Sequence, residues 1–564
     1  MRLKPTVWAM SALLAGAALA TGCSDSDDDE RDEAQTQQSI ELSVLGRYES
    51  GLFDEGAAEI VTYDPDTRRA FVVNAYSGQV DILDLNDPVF PQKIATIDVS
   101  TYGASANSVA VQDGVVAVAV EASQVGDPGQ VAFFDTDGNA LSSVQVGFLP
   151  DAVTFSPDGH HVLVANEGEP SDDYANDPVG SISIIDMGNG ALNLGQGDVV
   201  EANFDAFNGQ EETLRAQGVR IFGPGASAAQ DFEPEWIAVT GDSATAYAGL
   251  QENNAIAVVD IATATVKDIL PLGFKDWSEA GEWSGNGFDA SNRDGEIRIR
   301  HWPVQGIFQP DSFKVYETGG ETYLVTANEG DARDYDTWSE EARIKDLQLD
   351  PTTFTDAATL QLEENLGRLH VTTTLGVNND CDPSDPATNP EIDCVYNALY
   401  AYGGRSMSIF RVADTGLDLV FDTGSQMEET VAEDLPQYFN ANNDENNSFD
   451  ARSDDKGPEP EGITLGEVDG RTYAFVGLER VGGVMVYDIT EPEDTRFVQY
   501  LNPRDFTLPD TPESLVTTDL APEGLHFISA AQTPDAQGRP LLLVGHEVSG
   551  STTVFAIEWA SSED

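Results

Sequence analysis

The sequence predicts an all-β fold, and within that class a β-propeller. Three observations lead there. The first is a unit of chain, Leu149-Pro-Asp-Ala-Val-Thr-Phe-Ser-Pro-Asp-Gly-His-His-Val-Leu-Val-Ala-Asn-Glu167, followed by a further strand over 181–186. It reads as an acid, a short apolar strand, a Pro-Asp-Gly turn, a second strand and a closing acid. The second is recurrence: similar YVTN/WD40-like units open at Ala58-Glu59, Ala106-Asn107, Pro234-Glu235, Pro310-Asp311, Pro460-Glu461 and Pro522-Glu523, roughly 40 to 80 residues apart. Each unit is too small to bury both faces of its own sheet, so units must stack. The third is an imbalance at the ends. The last unit has only three strands, while a lone strand over 40–48 precedes the first. That strand is expected to complete the last blade and close the ring, removing an exposed sheet edge.

Seven blades are expected, with eight the alternative. The choice turns on whether 366–425 forms its own blade or shares strands with 311–350, because the partial copy near 398–410 lacks a first strand.

Taken in order, residues 1–22 read as a signal peptide, with Arg2 and Lys4 ahead of an apolar run too short to span a membrane. Ala20-Thr-Gly-Cys23 fits a lipobox, so Cys23 is the expected lipidation site; Ser24 follows it instead of Asp, which points to the outer membrane. The expected partners are therefore a membrane, reached through the lipid, and an unidentified periplasmic or extracellular ligand. Residues 23–39 form an acidic tether without apolar periodicity. Residues 40–560 are expected to be one propeller domain.

The chain carries 99 acidic and 28 basic residues, a net charge of −71, which excludes nucleic acid as a natural partner. Adaptation to high salt, a halophilic surface, accounts for most of that charge. Acids such as Glu340 and Glu341 are taken as ordinary surface groups. Cys381 and Cys394, a close pair in an exported Pro/Asp-rich loop, are expected to form a disulfide. The six histidines show no metal-ligand spacing, and no nucleophile–base motif or P-loop occurs.

The acids that matter are those at one repeat position. Glu59, Asp151, Glu235, Asp311, Glu461 and Glu523 stand just before the first strand of their units; Asn107 holds the place in the second. The end of an antiparallel second strand reaches the same edge. Asn74, Glu121, Asn166-Glu167, Glu252-Asn253, Asn328-Glu329, Glu479-Arg480 and His546-Glu547 are expected there. Crowded carboxylates must raise one another's pKa or recruit cations. Glu59, Asp151, Glu167, Glu235, Asp311, Glu329, Glu461, Glu523 and Glu547 are therefore candidate metal ligands, for Ca²⁺ or Mg²⁺. Arg405, Arg452 and Arg480, with Lys456 and His546, are the candidates to hold an anionic ligand beside the cation. Residues 285–297 partly fit a calcium loop, and the 442–459 segment is rich in oxygen donors.

Phe53-Asp-Glu-Gly-Ala-Ala-Glu-Ile60, Ala165-Asn-Glu-Gly-Glu-Pro-Ser-Asp-Asp-Tyr174, Leu250-Gln-Glu-Asn-Asn254, Leu324-Val-Thr-Ala-Asn-Glu-Gly-Asp-Ala-Arg333 and Lys456-Gly-Pro-Glu-Pro-Glu-Gly462 resemble the choice-of-anchor I family of exported bacterial propellers. Similar segments occur in animal mesenchyme-specific cell-surface glycoproteins and in atypical alkaline phosphatase-like proteins. The resemblance spans roughly 40–560 and implies a surface-anchored propeller, here anchored through Cys23. It names no catalytic residue. A binding propeller is the leading functional expectation. A calcium-dependent, phytase-like phosphoric ester hydrolase is the alternative, and a purely structural envelope protein is the third class.

Overall fold

The computed structural model describes residues 39–279 and 286–560. The signal peptide, nearly all of the tether, and Cys23 lie outside them. Strand identity follows local chemistry. Runs such as Val115–Val120 and Leu541–His546 are almost entirely buried, as expected of strands covered on both faces, whereas the outer Gln92–Ile97 strand leaves its first half in water. Turns between them carry the Asp and Gly residues that tolerate tight reversal, such as Gly159 with φ +69° after Ser156-Pro-Asp.

Seven four-stranded antiparallel sheets result among the described residues. Their innermost strands are Val61–Asp64, Ala106–Gln112, Pro150–Phe155, Pro234–Val239, Phe313–Thr318, Pro460–Val468 and Pro522–Ile528. Each of these packs on the next, and the last packs on the first, so the sheets form a closed ring around a channel. Closure is made by Ile40–Glu49, which pairs antiparallel with Ser551–Trp559 as the outer strand of the seventh sheet. Ile40 and Leu42 are buried there, and the Leu42 backbone N–H donates to Gln499 Oε1 of the sixth sheet at 2.7 Å.

The partial copy near 398–410 is split: Tyr400–Ala401 belongs to a separate five-stranded sheet, and only the strand from Ser406 onward belongs to the fifth sheet of the ring. Ser406–Ala413 pairs with Glu321–Asn328, and Gly416–Asp422 follows it. The chain between Asn328 and Ser406 leaves the ring. With Phe274–Asp276 and Gln305–Ile307 it builds a five-stranded sheet around a separate core that includes Trp277, Trp302, Ile344 and Leu366. Cys381 and Cys394 are disulfide-bonded in this insertion, with Cα atoms 5.3 Å apart. Glu340 is not a surface acid: it is fully buried in the insertion and pairs with Arg220. Among the described residues no helix is long and apolar enough to cross a membrane.

Candidate functional site

The acids reach the channel by a recurring backbone device. In the third sheet Pro150 pairs with Asn166 and Val153 with Val164, so Asp151 and Ala152 together face the single residue Ala165. The same two-against-one bulge places Glu235 in the fourth sheet, Glu461 in the sixth and Glu523 in the seventh. A bulge bends its strand and re-aims a side chain. The residue ahead of the proline is left-handed at Leu149, Gln309, Glu459 and Ala521, with φ between +44° and +58°. Few residues other than glycine adopt that conformation, and strain of this kind gathers where position matters. It has a use here: the carbonyls of Leu149, Glu459 and Ala521 accept the N–H groups of Glu167, Glu479 and Glu547 at 2.8–2.9 Å. One unit thus fixes both of its acids. Gly462 and Gly524 permit neighbouring sheets to touch at this level. A Cβ on Gly462 would lie 1.7 Å from the Glu523 carbonyl oxygen, and one on Gly524 would lie 2.3 Å from that of Glu59.

The acids meet around a cavity of about 380 Å³ lined by Glu59, Asn107, Asp151, Asp311 and Glu523, with Trp236 in its wall. Burial and mutual repulsion raise their pKa values together. Glu59 is pushed to about 8 by burial, Glu547 and Asp151. Burial takes Asp151 to about 7. Glu167, Glu235, Asp311, Glu461 and Glu523 are all held well above the carboxylate range, by burial first and then by one another and by Glu252, Glu329, Glu479 and Glu547. Glu547 is raised by burial, against the opposing pull of Arg480. Eight of the nine candidate ligands thus have raised carboxyls, and the ninth, Glu329, acts on Asp311, Glu461 and Glu547 as a neighbouring charge. One oxygen each of Glu235, Glu252, Glu461 and Glu523 is sealed from solvent without a hydrogen-bond partner.

One arc of the mouth has its own cations. Lys456 Nζ lies 2.6 Å from Glu329 and 3.2 Å from Glu459. Arg452 and Arg480 reach Glu459 at 2.7 and 2.9 Å, and Arg480 reaches Glu479 at 3.0 Å. Burial alone would raise the Glu459 carboxyl, but Lys456, Arg480 and Arg452 hold it well below its usual range. Glu329, Glu459 and Glu479 offer oxygens within 4.8 Å of one another. Sequence reasoning missed Glu459 as a member of the mouth; its place two residues before Glu461 was the available signal.

The remaining candidates are placed differently. Arg405 is buried, donating to Glu428 at 2.7 Å and to the carbonyls of Asp289, Ser453 and Asp455. His546 is buried under the rim, its Nδ1 3.9 Å from Asp519, and burial lowers its pKa. The strand-end asparagines also turn away from the mouth. Asn166 Nδ2 bonds Ser181 and Ser183, and Asn328 Nδ2 bonds Ser406 and Ser408, tying second strand to third. In the partial calcium-loop match, Asp294 pairs with Arg298 at 3.1 Å and Asn292 accepts from Arg368.

A profile of the Choice-of-anchor I domain matches residues 59–492. The chain is 28% identical over 341 residues to a mesenchyme-specific cell surface glycoprotein of Strongylocentrotus purpuratus, covering 53% of this chain and 41% of that protein. It is 31% identical over 173 residues to Gigasin-3a of Magallana gigas, covering 29% of this chain and 60% of the relative. The matched stretch thus spans less than two thirds of either relative. Among solved structures, Kuenenia stuttgartiensis hydrazine synthase aligns with a TM-score of 0.44 at 13% identity, over 92% of this chain and 98% of that one. The Myceliophteria thermophila Cps50 (Swd1) β-propeller domain aligns at 0.41 and 10% identity, over 92% and 99%.

Proposed function

The chain belongs to the choice-of-anchor I family, and from that premise we propose that it is an exported, surface-anchored propeller that binds divalent cations at its acidic channel mouth and holds an external ligand through them. The observation that carries this reading is the set of sealed, unpartnered oxygens on Glu235, Glu461 and Glu523, acids that three different sheets hold at the same bulge position on the channel. An unpaired buried carboxylate oxygen is costly and needs a proton or a cation. Hard oxygen donors of this kind suit Ca²⁺ or Mg²⁺. The cell-surface setting follows the relative's name, and the anchor follows Cys23, whose substitution by alanine should release the protein from the membrane fraction. Unchanged membrane association would remove the lipid anchor from the proposal.

Binding is favoured over phosphoester hydrolysis because the bases that would hold phosphate already have carboxylate partners: Glu459 for Arg452 and Arg480, Glu428 for Arg405. The test is thermal unfolding at high, constant ionic strength, because monovalent salt alone stabilises so acidic a chain by screening. A cation at about 100 times its Kd stabilises the native state by about 2.7 kcal/mol. Calcium should therefore raise Tm in the wild type and much less in a Glu235→Gln/Glu461→Gln/Glu523→Gln variant. Neutralising the exposed Glu212, Glu364 and Glu493 should leave the calcium shift intact. Equal shifts in both variants would overturn the reading.

A further inference from the structure

Residues 286–297 and 442–459, from the two oxygen-rich segments of the sequence, meet where the insertion packs against the ring, with Arg405 donating to the carbonyls of Asp289 and Ser453. Asp289 and Asp450 lie there, 1% and 2% exposed. A continuous network joins them. The Asp289 backbone N–H donates to Glu428 Oε2 at 2.8 Å, Asn440 Nδ2 donates to Glu428 Oε1 and to Ser453 Oγ, and Ser453 Oγ donates to Asp450 Oδ1 at 2.6 Å. Two atoms in this network have no partner although fully enclosed: Asp450 Oδ2 and Asn440 Oδ1, the second on a residue with no exposed surface. Both are oxygen acceptors.

Charge sets Asp289 and Asp450 apart from the acids around them. Four acids share the site electrostatically: Asp289, Asp294, Glu428 and Asp450. Arg298 pairs with Asp294 and Arg405 with Glu428. Arg300 feels Asp289 and Asp294, but its guanidinium stacks on Trp302 at 3.7 Å and bonds Asn365. Nearby Asp454 is bridged by Arg343 and Arg368. Among the described ion pairs, none involves Asp289 or Asp450; the Asp289 carboxylate accepts only the backbone N–H groups of Ser291 and Arg298, at 3.2 and 2.5 Å. Neither enclosed carboxylate has a base beside it, and their carboxyls are raised, by burial first, to about 7 and about 8, so each holds a proton that a cation could replace.

We infer that Asp289 and Asp450, with the side-chain oxygen of Asn440, form a structural divalent-cation site, separate from the channel mouth, that fastens the insertion to the ring. Ca²⁺ suits it best, because carboxylate and amide oxygens on irregular loops match calcium's flexible, all-oxygen coordination, whereas Mg²⁺ demands near-octahedral geometry and keeps its waters.

Equilibrium dialysis against ⁴⁵Ca²⁺ at high monovalent salt tests this. Asp450→Asn should bind one calcium fewer than the wild type, and so should Asp289→Asn. The channel variant Glu235→Gln/Glu461→Gln/Glu523→Gln should keep that calcium, so failure here is distinguishable from failure at the mouth. A wild-type measurement guards against a misfolded variant. Calcium, compared with chelator, should slow amide hydrogen exchange in 286–299 and 438–456 by at least about tenfold. Unchanged stoichiometry in folded Asp450→Asn, or exchange in those two segments that ignores calcium, would overturn the inference.

Discussion

At the scale of the residue, the decisive positions are those that hold an acid where chemistry alone would not leave one. Gly462 permits the sixth and seventh sheets to touch beside Glu461 and Glu523. Gly462→Ala puts a methyl into the Glu523 carbonyl, and overpacking of that kind costs about 1–3 kcal/mol. Its Tm should fall, and its calcium response should weaken because Glu523 is displaced. A Gly462→Ala protein with wild-type melting would show that the close approach does not matter. Lys456 acts as a built-in cation among Glu329, Glu459 and Asp331. Lys456→Met leaves those carboxylates without it, and losing a half-buried, charge-assisted hydrogen bond of this kind costs about 1–3 kcal/mol. The variant should be destabilised in chelator and regain more stability on adding calcium than the wild type does. Equal calcium gains would mean that no divalent ion can take the ammonium's place. At this scale the sequence was only half legible. The repeat position singled out the acids, because a residue recurring before each first strand must recur at one edge of the ring. It could not separate Asn166, which turns sideways to Ser181 and Ser183, from Glu167 beside it, since both stand at the same strand end. It could not mark Glu340 as buried either, because its partner Arg220 lies far away in the chain.

At the scale of the element, Ile40–Glu49 does the work of closure. Removing it would bare the long edge of Ser551–Trp559 and strip the cover from a core that includes Phe555 and Ile557. Deletion of 40–49 should lower Tm sharply and promote aggregation through that edge, whereas deletion of 24–38 should not. Identical melting of the two truncations would contradict the closing role. The lone strand was readable because a count of strands per unit leaves one place empty. The insertion was not. Its strands are two or three residues long and pair across distant stretches, as Gln305–Ile307 does with Tyr400–Ala401. Local pattern carries no trace of such pairings, and the fifth sheet is cut in two by the excursion.

At the scale of the whole molecule, the net charge of −71 divides into two kinds of acid. Most are exposed and keep the protein solvated. The channel acids hold their protons far above the ordinary range: Glu59 to about 8 and Asp151 to about 7. The unfolded chain releases those protons near its ordinary 4.5 and 3.8, so between those values and about 8 the folded state binds more protons than the unfolded one. Stability in chelator should therefore fall as pH rises through that window. Calcium, by replacing the protons, should flatten the fall, and the Glu235→Gln/Glu461→Gln/Glu523→Gln variant should show a shallower one without calcium. A wild-type profile that is flat from pH 5 to 8 in chelator would show that the ring is not proton-loaded. The most direct test of the central claim is anomalous diffraction from crystals grown in chelator and then soaked in a lanthanide or Mn²⁺ at high monovalent salt. The account predicts an anomalous peak inside the channel mouth, within coordinating distance of oxygens from at least two of Glu59, Glu235, Glu461 and Glu523. A clean map with metal bound elsewhere and none in the channel would contradict it.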